Sequence, residues 1–398
     1  MAGRVLFLSS HVGLGHAARD YAVALALRRL VPRVEVVWCS AEPVVSFLDA
    51  VGERVAPECR GLESFSTVIE GLFDGGLGLR GLASSLGILR RNWERMRDLV
   101  VGGGFDLVFA DEFWEAVYSA DPGVKQGIVF GTDFVYKNYS VRPVDFFISL
   151  LLNRYFRRVL PGFAELVYMN DVSLVEGKRW YPVIGGRVDE WIARNMHVVG
   201  LATSFLKDEV PGREEARRRL GLSPDEYVVL VTVGGTSTRS RQLLGCVDES
   251  AQLLAEKLRA ATGREARIVA LTGPRTSWSP SSSLVEARSG VAPRLLDYYA
   301  AADLFISRAG RTTTADLLCL GKPAVLVPIA GHFEQEEIAR HMSSRYGYPV
   351  VEERRCSPST LAAAAEKAST LTPEPPGRLC GGSWRTARLL AELLRGAE

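Results

Sequence analysis

Two polar clusters bracket one apolar repeat late in the chain. Ser307-Arg308-Ala309-Gly310 follows the apolar run "DLFI", and His332, Glu334 and Gln335 follow "PAVLVPI", with a helix-forming stretch between them. A strand–helix–strand unit needs an apolar face and one helix stop, not a polar group wherever a strand finishes. The first amides of a helix lack intrahelical partners and carry partial positive charge, which suits a phosphate. Gly310 permits close backbone approach, while Ser307 and Thr313 supply hydroxyls. Asp316 follows one turn later on the face that begins near Thr312 and Thr313, where a carboxylate could accept both hydroxyls of a ribose. His332, Glu334 and Gln335 offer polar groups to a sugar ring. Singly, Ser307 reads as a helix cap and Asp316 as a solvated charge; together they point to a nucleotide-sugar.

A second strand-to-helix turn, "VGGTSTRS" (233–240), carries Gly234, Gly235 and Thr236. It could receive a phosphate or sugar, or be a tight turn capped by Thr236 or Ser237. It lacks the Lys of a P-loop. The turn "HVGLGH" (11–16) lacks the third glycine and distal acid of a dinucleotide fingerprint, so ATP and nicotinamide chemistry have little support. Gly13 and Gly15 lead into His16 at a helix start, where the positive dipole end disfavours imidazolium. A neutral ring there is expected to take a proton near pH 7. It lies at the carboxyl end of a parallel strand, the edge where such sheets bind ligands.

The elements that must hold these residues alternate between strand and helix. "RVLFLSS" (4–10), a helix over 15–30, "VEVVWCS" (34–40), "FDLVFAD" (105–111) and "QGIVFGT" (126–132) form one array. "YVVLVTVGG" (227–235), a helix over 239–260, "ARIVALTG" (266–273), "DLFISRAG" (303–310), a helix over 311–320 and "PAVLVPI" (323–329) form another. Such alternation implies parallel sheets covered on both faces. The expected fold is α/β, two Rossmann-like domains facing an interdomain cleft: 1–200, then 201–380, with a helix in 381–398 free to pack on either. The boundary is placed near Val199–Lys207. Phe146–Arg158 breaks the rhythm by joining an apolar run to Arg154, Arg157 and Arg158. It reads as a core helix with a basic edge, or as a helix resting on an anionic membrane surface. Residues 71–96 look similar.

The chain has 398 residues, 47% hydrophobic and 24% charged, the profile of two globular domains. A net charge of +2 argues against a general nucleic-acid partner. The six cysteines show no CxxC pair and read as buried thiols in a reducing compartment, neither a disulfide framework nor a zinc site. Five Asn, four Gln and abundant Arg lean toward a thermophilic source. The N-terminal apolar run is too short for a signal peptide, and no run reaches the ~18–20 apolar residues of a spanning helix. A cytoplasmic location is expected.

The residues Ser307-Arg308-Ala309-Gly310, Thr313, Asp316, Gly321-Lys322-Pro323, Pro328 and Glu334-Gln335 resemble the nucleotide-sugar motif of GT-B glycosyltransferases. The similar group includes the bacterial lipid-linked peptidoglycan-precursor N-acetylglucosaminyltransferase and the plant monogalactosyldiacylglycerol synthases. Gly13-x-Gly15-His16 and Gly234-Gly235-Thr236 match the family's other glycine-rich turns. Asp316 stands where the family often has Glu, and Ile338 where it often has Asn. The resemblance implies inverting transfer of GlcNAc or another hexose from a UDP-sugar, bound mainly by the second domain, to an acceptor hydroxyl on the first. His16 would be the base or would position it, with Asp111 orienting the ring. Glu334 and Gln335 would hold the sugar, Asp316 the ribose, and the Ser307–Gly310 turn the diphosphate. No Asp-x-Asp is present, so no metal or other cofactor is expected. A lipid-linked glycan or membrane lipid is the preferred acceptor, which would bring the protein to the inner face of a membrane. The competing readings are a UDP-sugar 2-epimerase of the same fold, which would convert donor alone, and a non-catalytic sugar-nucleotide-binding subunit.

Overall fold

The strand Tyr227–Thr232 is buried along its whole length, as an uninterrupted apolar run requires when helices cover both faces of a parallel sheet. The same logic builds both halves of the protein, here described from a computed structural model covering residues 3–64, 79–133, 135, 143–180, 186–234, 239–273, 276–289 and 295–396. The chain divides into Met1–Ser204 with Arg378–Glu398, and Phe205–Gly377.

The first unit runs β1 (Arg4–Ser9), α1 (Leu14–Leu30), β2 (Glu35–Cys39), α2 (Val44–Ala50), α3 (Leu79–Gly102), β3 (Leu107–Asp111), α4 (Trp114–Ser119), α5 (Pro122–Lys125), β4 (Ile128–Thr132), α6 (Pro143–Val159), β5 (Glu165–Tyr168), α7 (Val188–Asn195) and β6 (His197–Val198). Its six strands are parallel in the order β2-β1-β3-β4-β5-β6. The chain steps from β1 outward to β2, then returns to the other side of β1 with β3. That reversal leaves a crevice at the carboxyl ends of β1 and β3.

The second unit runs α8 (Arg213–Leu220), β7 (Tyr227–Thr232), α9 (Ser240–Thr262), β8 (Ala266–Gly273), β9 (Val285–Ser289), α10 (Leu295–Ala301), β10 (Leu304–Ser307), α11 (Arg311–Leu320), β11 (Ala324–Leu326), α12 (Phe333–Tyr346) and α13 (Pro358–Ser369). Its parallel sheet is ordered β11-β10-β7-β8-β9, so the reversal falls between β7 and β10. β5, the two-residue β6 and β9 are strands that the apolar pattern did not reveal. The last helix, α14 (Gly382–Gly396), belongs to the first unit and packs on α1. Its entry is fixed by Leu201 N–H to Leu379 O and Gly382 N–H to Leu201 O, both 2.8 Å. A Cβ on Gly382 would meet the Leu201 carbonyl at 2.5 Å, so only glycine fits this crossing.

The free-thiol reading is overturned. Cys39 is bonded to Cys59 and Cys246 to Cys356, and no cysteine is free. Their spacings of 20 and 110 residues carry no local signature; tertiary structure makes the pairs. A bridge between Trp38 and Val55 turns the chain back beside the end of β2, bringing Cys59 to Cys39. The packing of α9 on α13 brings Cys246 to Cys356.

The helix α6 behaves as a core element where its side chains are described. Phe156 is buried against Trp114 and Tyr118, and Ser149 and Asn153 are buried. Leu151, Arg154 and Arg158 face outward. The side chains of 143–148, including Phe146 and Phe147, lie outside the described residues, as does 65–78 of the second amphipathic stretch. Among the described residues no helix is long and apolar enough to cross a membrane.

Candidate active site

In the first unit the crevice is filled with charge. Ser9 and Asp111 stand side by side at the ends of β1 and β3, and Ser10 N–H donates to the Asp111 carbonyl. Gly13 forms the uncapped start of α1, which places Gly15 and His16 in the first turn and Arg19 three residues further on, on the same face. His16 Nδ1 lies 3.3 Å from Asp111 Oδ2, the pairing expected from the sequence. The ring keeps 19% of its side-chain surface exposed, whereas Asp111 is sealed.

Arg19, which the sequence reading passed over, dominates the cluster. Its Nε donates to Asp111 Oδ2 at 2.6 Å, and its Nη2 to Asp111 Oδ1 at 2.5 Å. Nη2 also lies 2.9 Å from His16 Nδ1, and Nη1 donates to Asp133 just beyond β4. The guanidinium is only 2% exposed. Burial alone would raise the Asp111 pKa, but the charges of Arg19 and His16 outweigh it and hold that carboxyl far below the usual range. Glu112 is the one non-glycine residue with positive φ among the described residues, 43°, a conformation that concentrates at functional sites. There its Oε1 accepts from Thr132 Oγ1 and from the Asp133 N–H. Burial, then the Asp133 charge, pushes its pKa up to about 8. Asp20, bonded to Ser9 Oγ, is likewise pushed well up by burial.

The expected neutrality of His16 is corrected. Burial and the Arg19 charge lower its pKa, but Asp111 and Glu112 raise it further, and the net shift is upward. The carboxylates outweigh the helix end. A signal for Arg19 was present in "GHAAR", an imidazole and a guanidinium at helical i, i+3 spacing.

In the second unit the corresponding crevice holds hydroxyls. Thr232 and Ser307 face each other across the ends of β7 and β10, their oxygens 2.7 Å apart. Gly310 then opens α11 without a side-chain cap. Thr313 is partly exposed on the first turn, while Ala309 is buried. Gly234 is exposed with φ of 79°; Gly235 and Thr236 lie outside the described residues.

Several motif residues are committed inward. The Arg308 guanidinium is 3% exposed and pairs with Glu353 while donating to the carbonyls of Val327 and Arg239. It ties three loops together instead of facing a diphosphate. Asp316 is 1% exposed and near Tyr299, itself bonded to Thr313, so its carboxylate is not displayed on the open first turn. Glu334 accepts from Arg311 Nε at 2.9 Å. Gln335 Oε1 accepts from Ile329 N–H, and His332 Nδ1 accepts from Gln335 N–H as the cap of α12. These three hold their loop and remain partly exposed. Gly-Lys-Pro is structural. Gly321 ends α11 in the left-handed region, and Lys322 Nζ reaches back to the carbonyls of Ala300 and Ala302 at the end of α10. Among the described residues no three His, Cys, Asp or Glu side chains are grouped to hold a metal.

Residues 228–373 match the model of the glycosyltransferase family 28 C-terminal domain. An uncharacterized glycosyltransferase of Methanopyrus kandleri is 29% identical over 197 residues, 49% of this chain and 54% of that protein. A UDP-N-acetylglucosamine–N-acetylmuramyl-(pentapeptide) pyrophosphoryl-undecaprenol N-acetylglucosamine transferase of Nocardioides is 35% identical over 158 residues, 37% of this chain and 40% of that protein. The chain thus spans about half or less of these two relatives. An enzyme of the same name from Desulfitobacterium hafniense aligns over 85% of this chain and 82% of its own at 25% identity. Among solved structures, a UDP-glucosyltransferase of Polygonum tinctorium superposes with a TM-score of 0.59 at 13% identity, covering 99% of each chain. A Streptomyces glycosyltransferase complexed with thymidine diphosphate gives 0.55 at 16% identity, over 98% of this chain and 99% of its own. Residues 228–373 are therefore similar to the glycosyltransferase family 28 C-terminal domain, in a chain of GT-B fold.

Proposed function

We propose that this protein transfers GlcNAc or another hexose from a UDP-sugar to an acceptor hydroxyl, with inversion and without a metal. One observation carries the reading: the family 28 match covers the crevice where Thr232 and Ser307 meet ahead of the uncapped start of α11. Amides at that start suit the pyrophosphate, with Ser307, Gly310 and Thr313 nearest to it and Gly234 just past the end of the neighbouring strand. Glu334, Gln335 and His332 sit on the loop assigned to the sugar, and Asp316 keeps its ribose role only if nucleotide binding opens its surroundings. The acceptor hydroxyl attacks the anomeric carbon and gives up its proton to solvent, while the carbon–oxygen bond to the diphosphate breaks with its electron pair on the leaving phosphate. The helix-end amides stabilise that charge. His16 and Asp111 of the first unit are the acceptor-side pair.

A thermal-shift and turnover panel across uridine, guanosine and thymidine diphosphate sugars tests the donor; stabilisation by uridine diphosphate is expected, and no response to any of them overturns the reading. Turnover should survive EDTA; loss of activity that Mn²⁺ restores overturns metal independence. The outward Leu151, Arg154 and Arg158 of α6 favour a lipid-linked or lipid acceptor met at a membrane surface. Failure to bind anionic vesicles at low salt removes that preference.

A further inference from the structure

We infer that Arg19 fixes His16 as a hydrogen-bond donor through Nε2, so that the ring orients an oxygen of a bound ligand and is not the base of the transfer. What that oxygen belongs to rests on the transferase reading; the tautomer does not.

A guanidinium has five N–H donors, no acceptor, and stays protonated. The Arg19 arms point to Asp111 through Nε and Nη2, to Asp133 through Nη1, and to His16 Nδ1 through Nη2. Nδ1 therefore meets a donor at 2.9 Å and an acceptor at 3.3 Å. In a neutral ring a bare Nδ1 satisfies the shorter contact, and the hydrogen then resides on Nε2. A hydrogen on Nδ1 would instead confront the Arg19 N–H across that same 2.9 Å. Asp111 Oδ2 makes the longer contact, at 3.3 Å, and already accepts from Arg19 Nε.

When the ring is charged, both nitrogens carry hydrogen and Nδ1–H turns to Asp111. Nε2 bears a hydrogen in either state. The form a base needs, Nδ1–H with Nε2 bare, is the one Arg19 opposes. Arg19, Asp111, Glu112 and His11 are the charged or titratable groups that interact with His16 among the described residues, and the upward pull of the carboxylates favours the charged form, which is also a donor. Arg19 is thus a positioning residue, and the ligand chemistry it selects at Nε2 is an oxygen lone pair.

The test uses the full chain with ¹⁵N-labelled histidine, the His16 signals being identified by their loss in His16→Gln. Above the ring's titration, wild type is expected to show bare Nδ1 and protonated Nε2. Asp111→Asn should keep that pattern, whereas Arg19→Lys should shift protons to Nδ1. Protonated Nδ1 with bare Nε2 in wild type, or loss of the pattern in folded Asp111→Asn, overturns the inference. In turnover assays His16→Gln, which keeps a donor but no base, should stay within roughly tenfold of wild type, while His16→Ala loses about 10²–10³-fold. A folded His16→Gln as inactive as His16→Ala overturns it as well. A wild type that turns over no sugar nucleotide sinks the transferase reading instead, and the spectra alone then decide the tautomer.

Discussion

The two sheets reverse direction in the same way and furnish their crevices in opposite ways. In the first unit the ends of β1, β3 and β4 carry Ser9, Asp111 and Asp133, and a buried Arg19 neutralises the two carboxylates from α1. In the second the ends of β7 and β10 carry Thr232 and Ser307, which satisfy each other, while the guanidinium of Arg308 is turned inward and that of Arg311 is paired with Glu334. One crevice holds protons in a fixed arrangement. In the other the nearby arginines are tied to Glu353 and Glu334, and the strand ends themselves carry hydroxyls. Shared topology thus fixes where a site sits, while the residue types at the strand ends decide its chemistry.

The largest contrast is expected from two of the disulfides, Cys39–Cys59 within the first unit and Cys246–Cys356 within the second. Loop-closure entropy gives the Cys246–Cys356 bond, spanning 110 residues, about 5 kcal/mol and the Cys39–Cys59 bond, spanning 20, about 3 kcal/mol. Denaturation of the two double-serine variants should rank them in that order; the reverse would mean that the unfolded chain is already constrained around α9 and α13.

Next is Arg19→Met. It leaves Asp111 and Asp133 buried without their cation and should cost roughly 3–5 kcal/mol in denaturant unfolding. A cost below about 1 kcal/mol would show that the carboxylates simply take up protons.

The pH dependences should run oppositely in the two units. Native Glu112 keeps its proton up to about 8, whereas the unfolded chain releases it near 4.5, so the folded state holds more protons between those values. Stability should fall as pH rises through that window, by at most about 1.4 kcal/mol per unit. Lys322 is pushed down by burial to about 8 from 10.5, so the unfolded chain holds more protons above 8 and stability should rise with pH there. Denaturation curves across the two windows check both signs, with Glu112→Gln reducing the first slope, to which the raised Asp20 also contributes, and Lys322→Met reducing the second.

The smallest effect is Ser307→Ala, which deprives Thr232 of its partner and should cost about 1 kcal/mol in the same assay. A much larger loss would mean that the second crevice is held as tightly as the first.

How much of this was legible in the chain depended on the range of the interaction. The helix over 311–320 was readable residue for residue, because its apolar pattern, Gly310 before it and Gly321 after it are local. His16 and Asp111 were paired in advance through the family resemblance, and the structure puts them at one sheet edge, His16 in the first turn of α1 and Asp111 at the end of β3. Arg308 and Asp316 were given ligand roles, yet their side chains are buried beside Glu353 and Tyr299, partners not visible from the motif itself. Glu112 was hidden for another reason: nothing in "ADEF" announces a positive φ.

By itself the sequence determined the parallel α/β layering, the succession of most strands and helices along the chain and the glycine-led starts of α1 and α11, because periodicity and helix-end chemistry act over a few residues. Tertiary structure alone decided the cysteine pairing, the inward turn of Arg308 and the capture of Asp111 by Arg19. Each depends on groups far apart in the chain meeting where water is excluded, and there an ionic or polar group must take whatever partner the packing supplies.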